Sequence, residues 1–193
     1  MKNSKKLIAL VLAMVMIFAL TASALAAIDS TNAVTVTVQI YKRSSSGMTG
    51  FGSRSVTLTG SNPTVYDAVQ TISNDASYTK LRNAAWIDVA ITDANGNATN
   101  EIGKALVYLT AERSSYNSQY VLTTVTENLG SNGSTVATPR SDGGTDYTYT
   151  GTDWIFQVNN VDGTDYMNRT TVQNGDVITL FFQTSTMRWP SSN

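Results

Sequence analysis

Two runs near the end of the chain decide the fold: Gly151-Thr-Asp-Trp-Ile-Phe-Gln-Val-Asn-Asn-Val-Asp-Gly163 and Asn174-Gly-Asp-Val-Ile-Thr-Leu-Phe-Phe-Gln183. Each run is rich in aromatic and β-branched residues, which pack well on the pleated surface of a sheet. Turn residues at the end of the first run, Asn159 to Gly163, and at the start of the second, Asn174 to Asp176, lie between the two strand-like segments. We therefore predict that they form the central strands of a small domain that mixes strands with helix.

The clearest strand pattern lies at the other end of the chain. Residues Val34 to Tyr41 alternate strictly, with three valines and Ile40 on one face and polar or tyrosine side chains on the other. A period of two is the periodicity of a β-strand. Ser55 to Thr59 alternates again, and the Ser/Gly-rich segment from Ser44 to Gly52 lies between them. This pattern predicts a hairpin with a long loop.

One helix is expected directly after this hairpin. Residues Val65 to Ile72 place apolar side chains at i, i+3, i+4 and i+7, which makes one apolar stripe along a helix. Thr64 precedes the stripe and Asp67 follows three residues later, so the two side chains form a short version of the capping box. The helix is therefore predicted to begin after Thr64 and to lie across the sheet.

The middle of the chain gives weaker signals. Residues 78 to 86 are compatible with a short helix, whereas 86 to 92 alternate like a strand. Residues 102 to 110 suit either a strand or a helix, and we favour a strand; residues 120 to 126 are β-rich. Gly, Ser and Asn dominate from Gly130 to Gly144, which predicts a flexible loop. The pattern as a whole indicates an α+β domain.

The first 26 residues have the form of an export signal. Three lysines precede an apolar run from Leu7 to Leu20, and Ala24 and Ala26 supply small residues at the expected cleavage site. The alternative, a permanent membrane anchor, needs a longer span of about 20 apolar residues. We therefore expect cleavage after Ala26, a single domain over residues 27–193, and a secreted protein with no membrane attachment.

Composition excludes several kinds of chemistry. The 193 residues contain neither Cys nor His, which excludes disulfides, thiolate nucleophiles, serine-type triads and the commonest zinc ligands. Without the three lysines of the export segment, 10 basic and 14 acidic side chains remain, a net charge of −4. Such a surface has no electrostatic footprint for nucleic acid. No nucleic-acid partner is expected.

Three motifs carry a resemblance to a known family. They are Thr64-Val-Tyr-Asp-Ala-Val69, Asp153-Trp-Ile-Phe-Gln-Val-Asn159 and Asn174-Gly-Asp-Val-Ile178. In this order they resemble the transcobalamin-like C-terminal domain family, a β-grasp type module of bacterial surface and secreted proteins and of vertebrate cobalamin carriers. This sequence departs from the family pattern in having Phe156 where a tyrosine is usual, and a longer turn at 160–163.

The resemblance implies a β-grasp-like mixed sheet with one packed helix. The segment of about 78–146 is much longer than a minimal member needs, so it is interpreted as a β-rich insertion within the single domain. The resemblance also implies a binding surface and, in its most specific form, a cobalamin-like ligand such as a corrinoid. In the cobalamin carriers the module works against a large helical-barrel domain, and we expect no such domain from this sequence.

Aromatic residues near the Gly-rich segment are the candidate ligand-binding residues. Trp154 and Phe156 share one face of their strand, where they either stack on a flat ring or a sugar or belong to the core. Tyr147 and Tyr149 alternate with threonines, which suits an exposed aromatic patch and equally an ordinary edge strand. Asn159, at the end of the same strand, completes the predicted set.

Acidic residues give no comparable site. Five aspartates lie near these strands, and their oxygens suit calcium, but their spacing fits no EF-hand, so we interpret them as solvated loop acids. They are Asp142, Asp146, Asp153, Asp162 and Asp165. A two-carboxylate hydrolase needs acids held about 5 to 9.5 Å apart across a cleft, and no spacing identifies such a pair. We therefore predict no metal site, no cofactor and no enzymatic activity.

The sequence thus favours a secreted, non-enzymatic binding module. Its expected partner is a small ligand such as a corrinoid, a glycan or an extracellular protein, held by the segment from Gly130 to Tyr149 and the strand mouth near Trp154. The alternative is a structural cell-surface protein that self-associates through an exposed strand, which the threonines along the Val34 run indicate.

Overall fold

The computed structural model describes residues 33–93 and 97–190, so the expected export signal lies outside the described residues. The described chain is mostly β, with one short helix, which agrees with the predicted α+β class. The strands are β1 (Val34–Ser44), β2 (Gly47–Leu58), β3 (Leu81–Thr92), β4 (Ala98–Tyr116), β5 (Leu122–Gly130), β6 (Asn132–Pro139), β7 (Thr145–Val158), β8 (Val161–Asp162) and β9 (Val177–Pro190), and the helix is α1 (Val65–Ser73).

The strands form two sheets. The first has the order β2-β1-β9-β7-β6, with β8 paired to β7, and the second has the order β3-β4-β5. Strands β1 and β9 are parallel, and every other pair is antiparallel. The two runs that dominate the sequence, in β7 and β9, are therefore neighbours inside the first sheet, and their predicted central position is confirmed.

The first hairpin is tighter than predicted. Only Ser45 and Ser46 separate β1 from β2, so the expected long loop from Ser44 to Gly52 is wrong. The Gly-rich segment pairs with β1 because backbone hydrogen bonds do not need large side chains, and a register shift between Ile40 and Tyr41 absorbs the irregularity. Phe51 is buried at 2% exposure.

Helix α1 begins as predicted. Thr64 Oγ1 accepts a hydrogen bond from the backbone of Asp67, and the Asp67 carboxylate accepts one from Thr64 N at 2.9 Å, a complete capping box. The apolar stripe predicted from the sequence is buried: Val65, Ala68, Val69 and Ile72. Val65 N and Tyr66 N donate to the carbonyls of Thr170 and Met167, which ties the helix to the segment before β9.

The region in which the sequence signals are ambiguous forms the second sheet. Residues 81 to 92 form strand β3, so the short helix compatible with residues 78–86 does not form. Residues 102 to 110 lie in β4, which confirms the preference for a strand. Strand β3 is irregular, with register shifts against β4 and a positive φ of 59° at Asn83. This irregularity explains its weak periodicity.

Strand β6 corrects a second expectation. The Gly130–Gly144 segment was predicted to be a flexible loop, but Asn132–Pro139 pairs with β7 over its whole length. Gly133 lies opposite Gly151, and the Tyr149 ring covers both, since a Cβ on either glycine would collide with that ring. The hydrogen bonds to β7 and the packing of the Tyr149 ring stabilise this strand, although its Gly and Ser residues have no large side chains of their own to pack.

The core lies between the two sheets and the helix. Val36, Val38 and Ile40 of β1 and their parallel neighbours on β9 point inward and are almost completely buried. The second sheet contributes Leu106, Leu109, Ala111 and Leu129 to the same core. Because one face of the first sheet is covered and the other is not, its strands alternate between apolar and polar residues.

A test of the helix start follows from the capping box. Replacing Thr64 with alanine removes the hydroxyl that accepts the Asp67 N–H, so we expect the free energy of unfolding to fall by about 1 kcal/mol. Urea unfolding followed by circular dichroism measures the change. The Thr64→Ser variant keeps the hydroxyl and is the control. An equal loss in the two variants would show that the cap does not stabilise the helix.

Candidate functional site

Trp154 and Phe156 lie on the inner face of β7 and are 8% exposed each. The Trp154 indole N–H donates to the carbonyl of Leu129 at 3.2 Å, and its ring packs on Phe182 with centroids 5.1 Å apart. A buried indole with a satisfied N–H is typical of a core residue. The structure therefore places this pair between the two sheets.

Tyr147 and Tyr149 lie on the opposite face of the same strand. The register between β7 and β9 runs without a shift from Asp146 to Val158, so even-numbered residues of β7 face inward and odd-numbered residues outward. The tyrosines and the Trp154–Phe156 pair consequently do not meet. The five predicted residues are not brought into one site.

Asn159 directly follows β7 and has a left-handed conformation, with φ of 53°. Its side-chain nitrogen donates to the Asp176 carboxylate at 2.7 Å, and its side-chain oxygen accepts from Val177 N at 2.9 Å. These bonds join the end of β7 to the start of β9. The side chain is thus occupied in fastening two central strands.

Tyr149 has an altered acidity. Its hydroxyl donates to the Asp153 carboxylate at 2.5 Å, and this bond, together with burial, raises the pKa of Tyr149 to about 12. The phenol donates only when it is neutral, which explains the direction of the shift. Tyr149 therefore acts as a fixed hydrogen-bond donor on the outer face and carries no charge at neutral pH.

A small apolar pocket opens beside the predicted aromatic pair. Its volume is about 230 Å³, and its lining includes Leu106, Trp154, Phe156, Tyr166 and Met167. The Phe156 ring lies where a Cβ of Gly163 would be, and the Tyr166 ring lies where one of Gly103 would be. The pocket is smaller than the sites that hold most small-molecule ligands.

A much larger groove separates the ends of the two sheets. It has a volume of about 1010 Å³ and lies between β1, β7 and β9 on one side and β5 on the other. We call it the intersheet groove; its lining includes Lys42, Arg43, Glu127, Asn132, Thr152 and Thr184. The buried rings of Trp154 and Phe182 form the adjoining end of the core.

The groove arises because the inward-facing rows of residues on both sheets change from apolar to polar at the same height along the strands. The inward row of β1 continues from Ile40 to Lys42, and that of β9 continues from Phe182 to Thr184. On β5 the row changes between Leu129 and Glu127. Polar side chains remain hydrated, so the two sheets do not close on each other beyond this level.

Positive charge is in excess around the groove. Lys42 Nζ lies 2.6 Å from the Glu127 carboxylate, which Arg113 Nε also approaches at 3.6 Å. The buried Arg113 Nε makes no hydrogen bond with the described residues. Arg43 lies over the Phe181 ring at 4.5 Å and donates to Gln183 Oε1, and no described carboxylate pairs with it. Glu127 thus serves two cations, Lys42 and Arg113, whereas the Arg43 side chain lies on the opposite face of β1, against Phe181 and Gln183.

Hydroxyl pairs extend the polar lining. Thr152 and Thr184 share a hydrogen bond of 3.0 Å across β7 and β9, and Thr150 and Thr186 share one of 3.4 Å further out. Each hydroxyl can donate or accept a further bond. Together with Asn132 at the groove wall, they offer a row of uncharged polar groups beside the cations.

The sequence prediction missed Lys42, Glu127, Thr152 and Thr184. A signal for three of them was present, because Lys42, Thr152 and Thr184 extend the inward rows of alternating strands by one step with a polar residue. The role of Glu127 was hidden, since its position opposite Lys42 depends on the packing of one sheet against the other.

Within residues 33–93 and 97–190, no group of three or more Asp or Glu side chains is placed to hold a metal ion. No helix in this described part of the chain is both long and apolar enough to cross a membrane. Comparison of the chain with family models, with curated proteins and with solved structures finds no match.

The Tyr149–Asp153 bond gives a pH-dependent prediction. Because the pKa of Tyr149 is higher in the folded protein than in the unfolded chain, its contribution to stability is complete below about pH 10 and is lost as the pH rises towards 12. Phenolate absorbance during an alkaline titration should show a late tyrosine that is missing in Tyr149→Phe. In Asp153→Asn it should ionise earlier; an unchanged titration would exclude this coupling.

Proposed function

We propose that this protein is a secreted, non-enzymatic binding module whose ligand occupies the intersheet groove. The observation that carries the proposal is a wide polar groove, walled by two sheets, beside which one carboxylate is shared by two cations, Lys42 and Arg113. Its size lies at the upper end of the range of ligand sites, and its walls are strands of a packed scaffold. The expected export signal supports an extracellular place of action.

We further propose that the first sheet is of the β-grasp type, as the resemblance to the transcobalamin-like C-terminal domain family implies. Support comes from its topology: a β1–β2 hairpin is followed by a helix, and the last strand, β9, returns parallel to β1 in the middle of the sheet. The sheet β3-β4-β5 then corresponds to an addition between α1 and the strands β6 and β7.

Of the expected ligand classes, an acidic glycan suits this groove best. Lys42 matches a carboxylate or sulfate group of such a chain, and the threonine hydroxyls and Asn132 match its hydroxyls. The lining is too polar for the apolar centre of a typical protein interface. The mouth is open at the surface, which allows a chain to extend beyond the groove.

The proposal of glycan binding is tested with oligosaccharides of matched length. We expect purified protein to bind a heparin or hyaluronan hexasaccharide in isothermal titration calorimetry and to bind neutral cellohexaose much more weakly. Added salt should weaken the binding, because the attraction is between partly exposed charges. Equal affinity for the acidic and neutral chains would contradict the role of the cations.

A pair of variants that each remove one positive charge locates the site. Lys42→Gln should weaken binding of the acidic hexasaccharide about tenfold, since a hydrogen bond to a charged group contributes about 1.5 kcal/mol. Arg54→Gln is the control, because Arg54 is likewise paired with one carboxylate, that of Asp75, but lies away from the groove. An equal loss in both variants would show that the ligand does not lie in the groove.

The corrinoid version rests on the resemblance alone. Trp154 and Phe156, for which stacking on a flat ring was one interpretation and a place in the core the other, are buried in the core. Incubation with a corrinoid followed by desalting tests it directly. Retained corrinoid absorbance, lost in a groove variant such as Thr152→Tyr, would support this ligand over the glycan; no retained absorbance would exclude it.

A further inference from the structure

Strand β6 is a free edge of the first sheet. It pairs with β7 on one side, and all eight of its residues are exposed. The register with β7 is continuous from Asn132 to Pro139, with no bulge to twist the edge away. Val136 is 59% exposed. A straight exposed edge of this length is a template for pairing with another strand.

The direction of its free backbone groups follows from the ladder. Ser131 N donates to the carbonyl of Val107, on the side away from β7. Because backbone groups alternate in direction along a strand, the amides of Gly133, Thr135 and Ala137 also point away from β7. No hydrogen bond within the described chain uses these three donors. Three free donors and their matching carbonyls therefore face solvent.

The other edges carry protective features that β6 lacks. Strand β2 includes Arg54 and pairs across a register shift, and β3 includes Arg82 and Asp88 beside several shifts. Strand β5 includes Glu127. Charges and bulges of this kind discourage edge-to-edge pairing. Strand β6 contains no charged residue, and Pro139 stands only at its end.

We propose that β6 is the interface for a second copy of this chain, with the two β6 strands antiparallel around a twofold axis. An uncharged strand meets its own copy without repulsion, and a twofold pairing is self-complementary and closes as a dimer. The pairing joins two first sheets into one continuous sheet. It lies on the opposite edge from β2, and it uses the amides of Gly133, Thr135 and Ala137, which do not line the intersheet groove, whereas Asn132 at the start of β6 does. It is therefore independent of glycan binding.

The strand proposed for self-association differs from the one that the sequence indicated. The threonines along the Val34 run indicated an exposed strand, but that run is β1, which lies between β2 and β9. Its hydroxyls are paired with β2, as in the 2.9 Å contact between Thr35 and Thr57. The strand that can mediate self-association is therefore β6 and not β1.

The test compares two substitutions at one position. The molar mass is measured by light scattering after gel filtration. We expect it to rise from that of one chain to that of two as the protein concentration increases. Thr135→Pro removes an outward amide without touching the bonds to β7, and it should remain monomeric. Thr135→Val keeps the amide and should dimerise like the original protein.

Circular dichroism and the unfolding midpoint show whether Thr135→Pro keeps the fold. If it does not, Ala137→Lys provides the second variant, since it introduces like charges into the paired strands and should also prevent the dimer. A monomer at every concentration would overturn the proposal. A dimer that persists in Thr135→Pro or Ala137→Lys would equally overturn it, because the contact would then lie elsewhere.

Discussion

The parallel pairing of β1 with β9 is the constraint on which the structure depends. It joins residues 37–43 to residues 177–183, so this contact closes a loop that contains the whole intervening chain. Thr37 N donates to the carbonyl of Asp176, and Gly175 N donates to that of Thr35, which fixes the register at its first step. Parallel strands need a crossover and are usually buried. Here the inward residues of both strands are almost fully buried, from Val36 and Ile40 to Leu180.

The same register explains why a groove lies next to the core. The inward rows of β1, β7 and β9 are aligned across the sheet, so their changes from apolar to polar residues fall at one level. Beyond that level Lys42 meets Glu127 of the second sheet, whereas below it Trp154 meets the Leu129 backbone. A single slip of one residue would exchange inward and outward side chains and remove both features. The core and the groove are therefore products of one alignment.

Local signals made much of the fold predictable from the sequence. The capping box at Thr64 and the alternation of Val34–Tyr41 depend on near neighbours, and both features formed as expected. Strand β6 depends on the pairing and the Tyr149 ring that β7 supplies, which composition does not reveal. Tyr149 and Trp154 are an odd number of residues apart on one strand, so their side chains must lie on opposite faces of the sheet. The sequence alone was therefore enough to show that they do not belong to one site. The meeting of Lys42 with Glu127 required the packing of two sheets and was not predictable from either strand.

The arrangement around Glu127 supports the binding proposal, because it does not maximise stability. A buried donor without an acceptor costs free energy, and Arg113 Nε is such a donor. Replacing Arg113 with an apolar residue of similar size would relieve this cost and leave Lys42 with an undivided carboxylate. Departures from the rules of stable packing are expected where a protein meets its ligand. Two cations that share one carboxylate keep a net positive charge. Beside open space, they therefore attract an anion more strongly than a fully neutralised ion pair does.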